Sequence, residues 1–428
     1  MSIADNIRKS YLVTMTDDTG NFKRNFRLGV ANGVFFNAAL ASLSGSTILP
    51  AFVSQLTDSK VIIGLLSTMD GFGWAFPQLF VAVFIAHRAR VLGFYNRLAV
   101  LRLLFFGLAI SSVFIFARRP SALLLIFGIS FTMLSLVAGM AGLSFTEIVG
   151  KTIPVNKRGS YFGWRMFLGG IIIVIEGIIA AKALSVYPYP YNFGYLYSAG
   201  WIFMLFGLLM FAFVKEPPGS DLLDKAGPSI HLNHAFSIFR KNENFRRLFY
   251  SRAAVNTYLL SSPFYVVFAI RQLGAPGSIA GVYLAAQYIG FLLSNILWAW
   301  LSNHISNRKV IIFAGVVSLV PPLLAFGSSF VPIHPMAFGL VFLTLGAADA
   351  GISMGYVNYL LEISPERGRV LSIGIWNTFI APTLFFSAFG GILSQLFSLR
   401  FLFATVLVTV IISVLISKRL WEPRGVVR

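Results

Sequence analysis

The chain has 428 residues, of which 57% are hydrophobic and only 11% charged, and its mean hydropathy is +0.78. A water-soluble protein of this length carries about 25% charged residues and lacks serial apolar runs of membrane-spanning length, so a soluble globule is excluded. With no cysteine in the sequence, disulfides, thiolate metal sites and cysteine nucleophiles are excluded as well.

The first 27 residues are polar and mixed in charge and show no cleavable signal peptide, so the first span itself is expected to direct the chain to the membrane. Apolar runs then follow from end to end, each long enough to cross a hydrocarbon core of roughly 30 Å as a helix. They are continuous rather than alternating, which excludes a membrane β-barrel. Spans are predicted over residues 28–54, 61–86, 98–117, 122–149, 161–184 and 194–214, and again over 249–272, 279–302, 310–328, 336–362, 370–397 and 401–416. With both termini inside, only Lys60, Arg118, Arg119, Lys182, Arg271 and Arg400 of the 34 Lys and Arg fall on the outer side. The net charge of +19 therefore reads as topology under the positive-inside rule, with some attraction to anionic lipid, and not as nucleic-acid binding. A multi-pass protein of the cell membrane with both termini cytoplasmic is expected.

Between the two sets of six spans, Lys215–Phe245 is the longest polar stretch; Pro217-Pro218 and Gly227-Pro228 break it, with room for a short amphipathic helix near Ala235–Arg240. This divides the chain into a first six-helix bundle (1–214), a cytoplasmic central loop (215–245) and a second six-helix bundle (246–428). The two bundles also match in sequence. Gln55-Leu56 pairs with Gln272-Leu273 and Gly64 with Gly281 at an offset of 217, while Asn96-Arg97 pairs with Asn307-Arg308 at an offset of 211. The offset of 211 is kept by "PVNKRGSYFG" (Pro154–Gly163) and "PERGRVLSIG" (Pro365–Gly374), both of the form P-x3-R-x4-G. One loop that is six residues longer in the first half accounts for both registers. A parallel repeat of this kind, about an axis along the membrane normal, marks one class of transporters.

Six plus six spans, a basic central loop and charged turns after spans 2, 4, 8 and 10 resemble the major facilitator superfamily. The turn "WLSNHISNRKVI" between spans 8 and 9 is similar to that family's G-x-L-x-D-R-x-G-R-R loop: Asn307, Arg308 and Lys309 keep its basic end, whereas Ser302 and Asn303 stand where the acid is expected. The turn "HRARVLGFYNR" is more degenerate, and the antiporter signature G-P-x-x-G-G is missing from span 5, where only Gly169-Gly170 appears. The resemblance implies an all-α integral membrane protein of twelve transmembrane helices in two pseudo-symmetric bundles, alternating access around a central site, and a monomer.

In each repeated turn the proline stops the preceding helix, because it lacks an N–H and disfavours a helical residue before it. Gly163 and Gly374 are expected to permit close helix contact just inside the next span. Glu362 forms E-x6-R with Arg369, near Arg367 and Arg308, and the resemblance implies a cytoplasmic ion-pair latch there. In the first copy Lys151 takes the place of Glu362. Glu147 can pair with Lys151 at (i, i+4) spacing, and Arg158 can approach from the loop. The plainer alternative is a set of positive-inside charges with no conformational role, since exposed pairs contribute only about 0–1 kcal/mol.

Three acids lie within hydrophobic spans: Asp70, Glu176 and Asp349. Each costs at least about 2.5–3.5 kcal/mol on insertion scales and needs a partner, a cavity or a proton. No histidine is intramembrane, so proton coupling is expected to use carboxylates. Asp349, among alanines and Gly351, is the first candidate for substrate or proton binding, followed by Asp70 and Glu176; the repeat pairs Asp70 with Gln287. Asn37, Asn256, Tyr258, Tyr356 and Asn358 sit at useful depths to complete a central site, with Tyr288, Trp376 and Asn377 weaker candidates. Helix–helix bonding is the plainer reading of each. Pro50, Pro77, Pro263 and Pro382 are expected to break the helical pattern.

Two apparent enzyme motifs are set aside. Gly351-x-Ser353-x-Gly355 lies inside a predicted helix, without the strand-turn-helix context of a nucleophile elbow. His231-x-x-His234 lacks a third metal ligand. The expected function is secondary active transport of a small molecule, proton-coupled and without cofactor or metal, with export of an amphipathic or cationic solute favoured because the intramembrane ionisable residues placed are acidic. A lipid or lipid-linked-sugar flippase and a non-transporting assembly factor or receptor of the same fold remain alternatives.

Overall fold

The computed structural model describes residues 3–85, 88–218, 243–363, 376 and 379–423. They are helical throughout apart from short turns. In the first half the helices are α1 (Ile3–Ala41), α2 (Ile48–Val53), α3 (Lys60–Ala75), α4 (Gln78–Ile85), α5 (Leu92–Ile115), α6 (Pro120–Thr152), α7 (Val155–Val186) and α8 (Tyr191–Ala212). In the second they are α9 (Glu243–Val255), α10 (Phe264–Arg271), α11 (Ile279–His304), α12 (Asn307–Val317), α13 (Val320–Ser328), α14 (Gly339–Ile363), α15 (Phe386–Leu396) and α16 (Leu399–Ser417), with 3-10 turns at Asn256–Leu260 and Ala381–Phe385.

Helix starts follow local chemistry. The Ser59, Ser306 and Ser398 hydroxyls accept from the backbone N–H three residues on, at 3.4, 3.2 and 3.1 Å, and cap α3, α12 and α16. Pro120 opens α6, where a missing N–H costs nothing.

Among the described residues nine helical stretches are long and apolar enough to cross a membrane. The other predicted spans are interrupted or fall partly outside the described residues. Predicted span 1 breaks over residues 42–47, between α1 and α2, and predicted span 2 breaks at Phe76-Pro77, between α3 and α4. Pro50 sits in the first turn of α2, where proline is tolerated, so the break precedes it. Span 7 breaks around Asn256–Pro263, and Pro382 lies in a 3-10 turn. The first break respects the repeat: α2 and α10 occupy matching positions at the offset of 217.

Within the first half, α1 packs on α7 and α8, α5 on α6 and α8, and α3 on α6; within the second, α14 packs on α11 and α12, and α16 on α9, α12 and α13. Gly290 on α11 lies against the Leu343 carbonyl of α14, and Gly346 on α14 against the Gln287 carbonyl of α11, so this crossing is held at backbone contact by small residues. Aromatic packing fills the first half around Phe52, whose ring is 4.8 Å from Phe127 and 5.2 Å from Phe193. Gly163 does not behave as its motif suggests. A side chain there would meet nothing within 4 Å, and the position is exposed, so no helix contact depends on it. Gly374 lies outside the described residues.

The face on which Arg24 and Asn25 meet Phe213 and Lys215, and Arg247 and Tyr359 meet Arg419 and Trp421, is called here the basic face. The halves meet through α3 against α15, and through α7 against α11.

Candidate functional site

A polar group lies at mid-depth, where the halves face each other. Asp349 on α14 accepts from Gln287 Nε2 at 3.3 Å, and the Tyr258 hydroxyl hydrogen-bonds the same carboxyl. Gln287 Oε1 in turn accepts from Ser46 Oγ at 2.8 Å. Ser46 belongs to the break in span 1, so this chain of bonds runs from one half to the other. The same break supplies the Gly45 backbone to the Asp70 carboxyl. Asp70 is exposed although it lies deep in α3, and it faces the space between the halves. On α14, Ser353 and Val357 are exposed at helical spacing from the partly buried Asp349, which gives this helix a face on the same space.

Glu176 is 6% exposed, on α7 beside the crossing with α11, and neither carboxylate oxygen has a hydrogen-bond partner among the described residues. Tyr288 on α11 is the point these acids share: the charges of Asp70, Asp349 and Glu176 all act on its hydroxyl.

The remaining predicted site residues divide. Asn256 donates to Thr383 Oγ1 at 2.6 Å and ties the two 3-10 turns together. Asn37 donates to the Arg165 carbonyl at 3.3 Å and joins α1 to α7. Tyr356 is two helical turns, about 10 Å, from Asp349 along α14, in a buried bond with Ser251 Oγ at 2.5 Å. Asn358 lies further still and donates to Ser302 Oγ at 3.4 Å. The structure therefore places Tyr356 and Asn358 outside the mid-depth group.

The basic face holds two matched nodes. In the second half, Ser302 donates to Asn307 at 2.6 Å, and Asn307 donates to Glu362 Oε1 at 2.8 Å. Arg308 donates to the Lys418 carbonyl at 2.7 Å. Arg367 and Arg369 lie outside the described residues. In the first half Lys151 pairs with Glu147 and with Glu216, both at 3.2 Å. Glu216, whose side chain is 1% exposed, also accepts from Val91 N at 2.8 Å and Leu92 N at 2.7 Å, and so caps α5. Among the described residues Arg158 forms no ion pair with Glu147. It donates to the carbonyls of Ile153 and Gly150, at 3.0 and 2.6 Å, and caps the end of α6.

Across from the basic face, the halves are bonded directly. Arg271 donates to the carbonyls of Ser54 and Thr57, at 2.7 and 2.8 Å, and lies 3.1 Å from Asp58. Lys60 donates to the Ser394 carbonyl through Nζ at 2.8 Å, and to Gln395 through its backbone at 2.9 Å. Thr68 accepts from Ala388 N at 3.0 Å. Each half thus places a cation on the C-terminal carbonyls of a helical segment in the other.

The sequence profile described as Major Facilitator Superfamily matches residues 253–426. Solved structures with the same fold include a POT family transporter in complex with 5-aminolevulinic acid (TM-score 0.70, 13% identity, 91% of this chain and 94% of that one). A D-xylose-proton symporter (0.69, 15%, 94% and 98%) and a point mutant of the nucleoside transporter NupG (0.68, 12%, 94% and 100%) are similar too. The profile thus matches most of the second half of the chain, and the fold of the whole is that of these solved transporters. No curated protein sequence matches the chain, and its subfamily is not identified by these likenesses.

Among the described residues the helices long and apolar enough to cross a membrane fit a multi-pass membrane protein of that fold. Gly351-x-Ser353-x-Gly355 is continuous α-helix within α14, which is no setting for a nucleophile elbow; His231 and His234 lie outside the described residues.

The structure also adds residues that sequence reasoning missed. Arg102 on α5 is 2% exposed, with its guanidinium 4.5 Å from the centre of the Phe36 ring. Arg165 on α7 donates to Asn32 Oδ1 at 2.9 Å and to the Gly29 carbonyl, and lies 4.6 Å over Phe145. Arg252 on α9 lies 5.0 Å over Tyr356. These arginines are cations within the predicted spans, so the three acids alone do not select a cationic solute. Each arginine sits within a few residues of a predicted span end, where a hydropathy reading counts it as a loop charge. Glu216 carried no signal beyond its place beside Pro217.

Proposed function

We propose that this protein is a secondary active transporter in which the two halves rock around the group formed by Asp349, Gln287, Tyr258, Tyr288 and Asp70. One observation carries this reading. Among the described residues, hydrogen bonds and ion pairs between the halves gather opposite the basic face and reach inward to mid-depth, where the bond between Ser46 and Gln287 lies. That is the arrangement of a carrier whose central site communicates with the basic face, taken as cytoplasmic. Breaking the Arg271 and Lys60 contacts on one side and forming contacts on the other would expose the same group alternately. Glu362 with Arg369, Arg367 and Arg308 is the proposed closing element on the basic face, with Glu147, Lys151 and Arg158 opposite.

Asp349, Asp70 and Glu176 are proposed as proton carriers. Each is an acid inside a span with at most a partial set of partners, and a proton relieves that cost. The likeness to a D-xylose-proton symporter is in keeping with this but shows the fold alone.

The test uses the cysteine-free sequence. With Ser353→Cys as the sole thiol, sealed vesicles of both orientations are treated with a membrane-impermeant maleimide. Labelling from both sides is expected. Labelling confined to one side under every pH and gradient would refute alternating access.

A further inference from the structure

Arg252 and Asp349 carry opposite charges on facing helices of the second half, α9 and α14, and the reading above uses only one of them. The Arg252 guanidinium rests 5.0 Å over the Tyr356 ring. That ring is fixed in turn: the Tyr356 hydroxyl bonds Ser251 at 2.5 Å, and Ser251 bonds Ser417 at 2.9 Å. Tyr258 hydrogen-bonds the Asp349 carboxyl and feels the charge of Arg252. Arg252 and Asp349 act on one another electrostatically, yet no ion pair joins them among the described residues. Both retain buried, unused bonding capacity: Nη1 of Arg252 and Oδ1 of Asp349 have no partner among the described residues.

A guanidinium and a carboxylate free to meet would close into a bidentate pair, and unpartnered charge inside a membrane is costly. Here the guanidinium lies over the Tyr356 ring and the carboxyl bonds Gln287 and Tyr258, with one donor and one acceptor unspent. The guanidinium offers a planar fork for a carboxylate. The carboxylate, beside the Tyr258 hydroxyl, offers acceptors for an ammonium group. We infer that Arg252 and Asp349 are the two ends of a subsite for a zwitterionic solute, with its carboxylate on Arg252 and its ammonium on Asp349. This rests on the transporter reading and names the solute class for its central site.

The experiment measures thermal stabilisation of the purified full-length chain by three matched sets of probes. These are the free amino acids and alanine-containing dipeptides, their C-terminal amides, and their deaminated acids. At least one zwitterion is expected to stabilise the parent, with its amide and its deaminated acid bound roughly ten- to a hundredfold more weakly. Arg252→Gln should erase the discrimination against the amide, and Asp349→Asn that against the deaminated acid. Arg252→Lys keeps the charge and serves as a folding control, with partial discrimination retained. Equal binding of a zwitterion and its amide by the parent would overturn the inference, as would undiminished discrimination in Arg252→Gln. Failure of every zwitterion to bind would also overturn it, while two-sided labelling at Ser353→Cys would leave the transporter reading standing.

Discussion

Gly177 offers the sharpest test of how the halves close. A Cβ at this position of α7 would stand 2.7 Å from the Gly281 carbonyl oxygen, 2.8 Å from Ala285 N and 3.0 Å from Ala285 Cβ. Two of these atoms are backbone and the third is a Cβ, so none can rotate away. Gly177→Val therefore requires α7 and α11 to separate where they cross. Overpacking of this kind costs about 1–3 kcal/mol, and the cost falls only on the arrangement in which the helices touch. At about 1.4 kcal/mol per tenfold, the population closed opposite the basic face should fall by roughly five- to a hundredfold. Nitroxides at Ser185→Cys and Gln272→Cys, both exposed on that side, would report the change by pulsed electron resonance as a longer distance gaining weight. Gly163→Val, in open space on the same helix, is the control and should leave the distribution unchanged. A folded Gly177→Val protein with the parental distribution would refute the assigned role of this crossing.

Arg271→Gln removes both guanidinium bonds to the Ser54 and Thr57 carbonyls and should weaken the same closure by about 1–3 kcal/mol, the value of such bonds; the same nitroxide pair reads it, and an unchanged distribution refutes it. Glu216→Ala uncaps α5 and takes a buried partner from Lys151, which keeps Glu147. A loss of about 2–4 kcal/mol is expected, seen as a lower melting temperature in detergent, and a change below about 0.5 kcal/mol would contradict the burial argument. Glu362→Gln should shift the population toward opening on the basic face. Unaltered reactivity of single cysteines placed on that face would argue against a closing role for Glu362.

Much of the architecture is legible because it is written in apolar run length and in the repeat. The offset of 217 alone matches α2 to α10. The breaks are less legible. Prolines mark them loosely, since Pro50 follows its break, while the residues of the first break, Ser42–Thr47, carry no helix-stopping proline of their own. Buried acids stand out in the sequence because an acid in an apolar run has no competing explanation. Buried arginines do not, because Arg102, Arg165 and Arg252 lie near span ends, where long side chains ordinarily reach water. Gly163 shows the converse failure: a glycine repeated in the sequence pattern stands here in open space and marks no helix contact.

The clamp at Glu216 has a mechanical consequence. Lys215 accepts from Asn25 Nδ2 through its carbonyl and donates to Asn25 Oδ1 through its backbone, each at 3.0 Å, and Glu216 is fastened to α5 and α6, so the chain leaves the first half at a fixed point. The start of the central segment therefore moves as part of the first half. The packing between the halves runs through the crossings of α3 with α15 and of α7 with α11, so these crossings are the fulcrum on which the first half, with Lys215 and Glu216 attached, would turn.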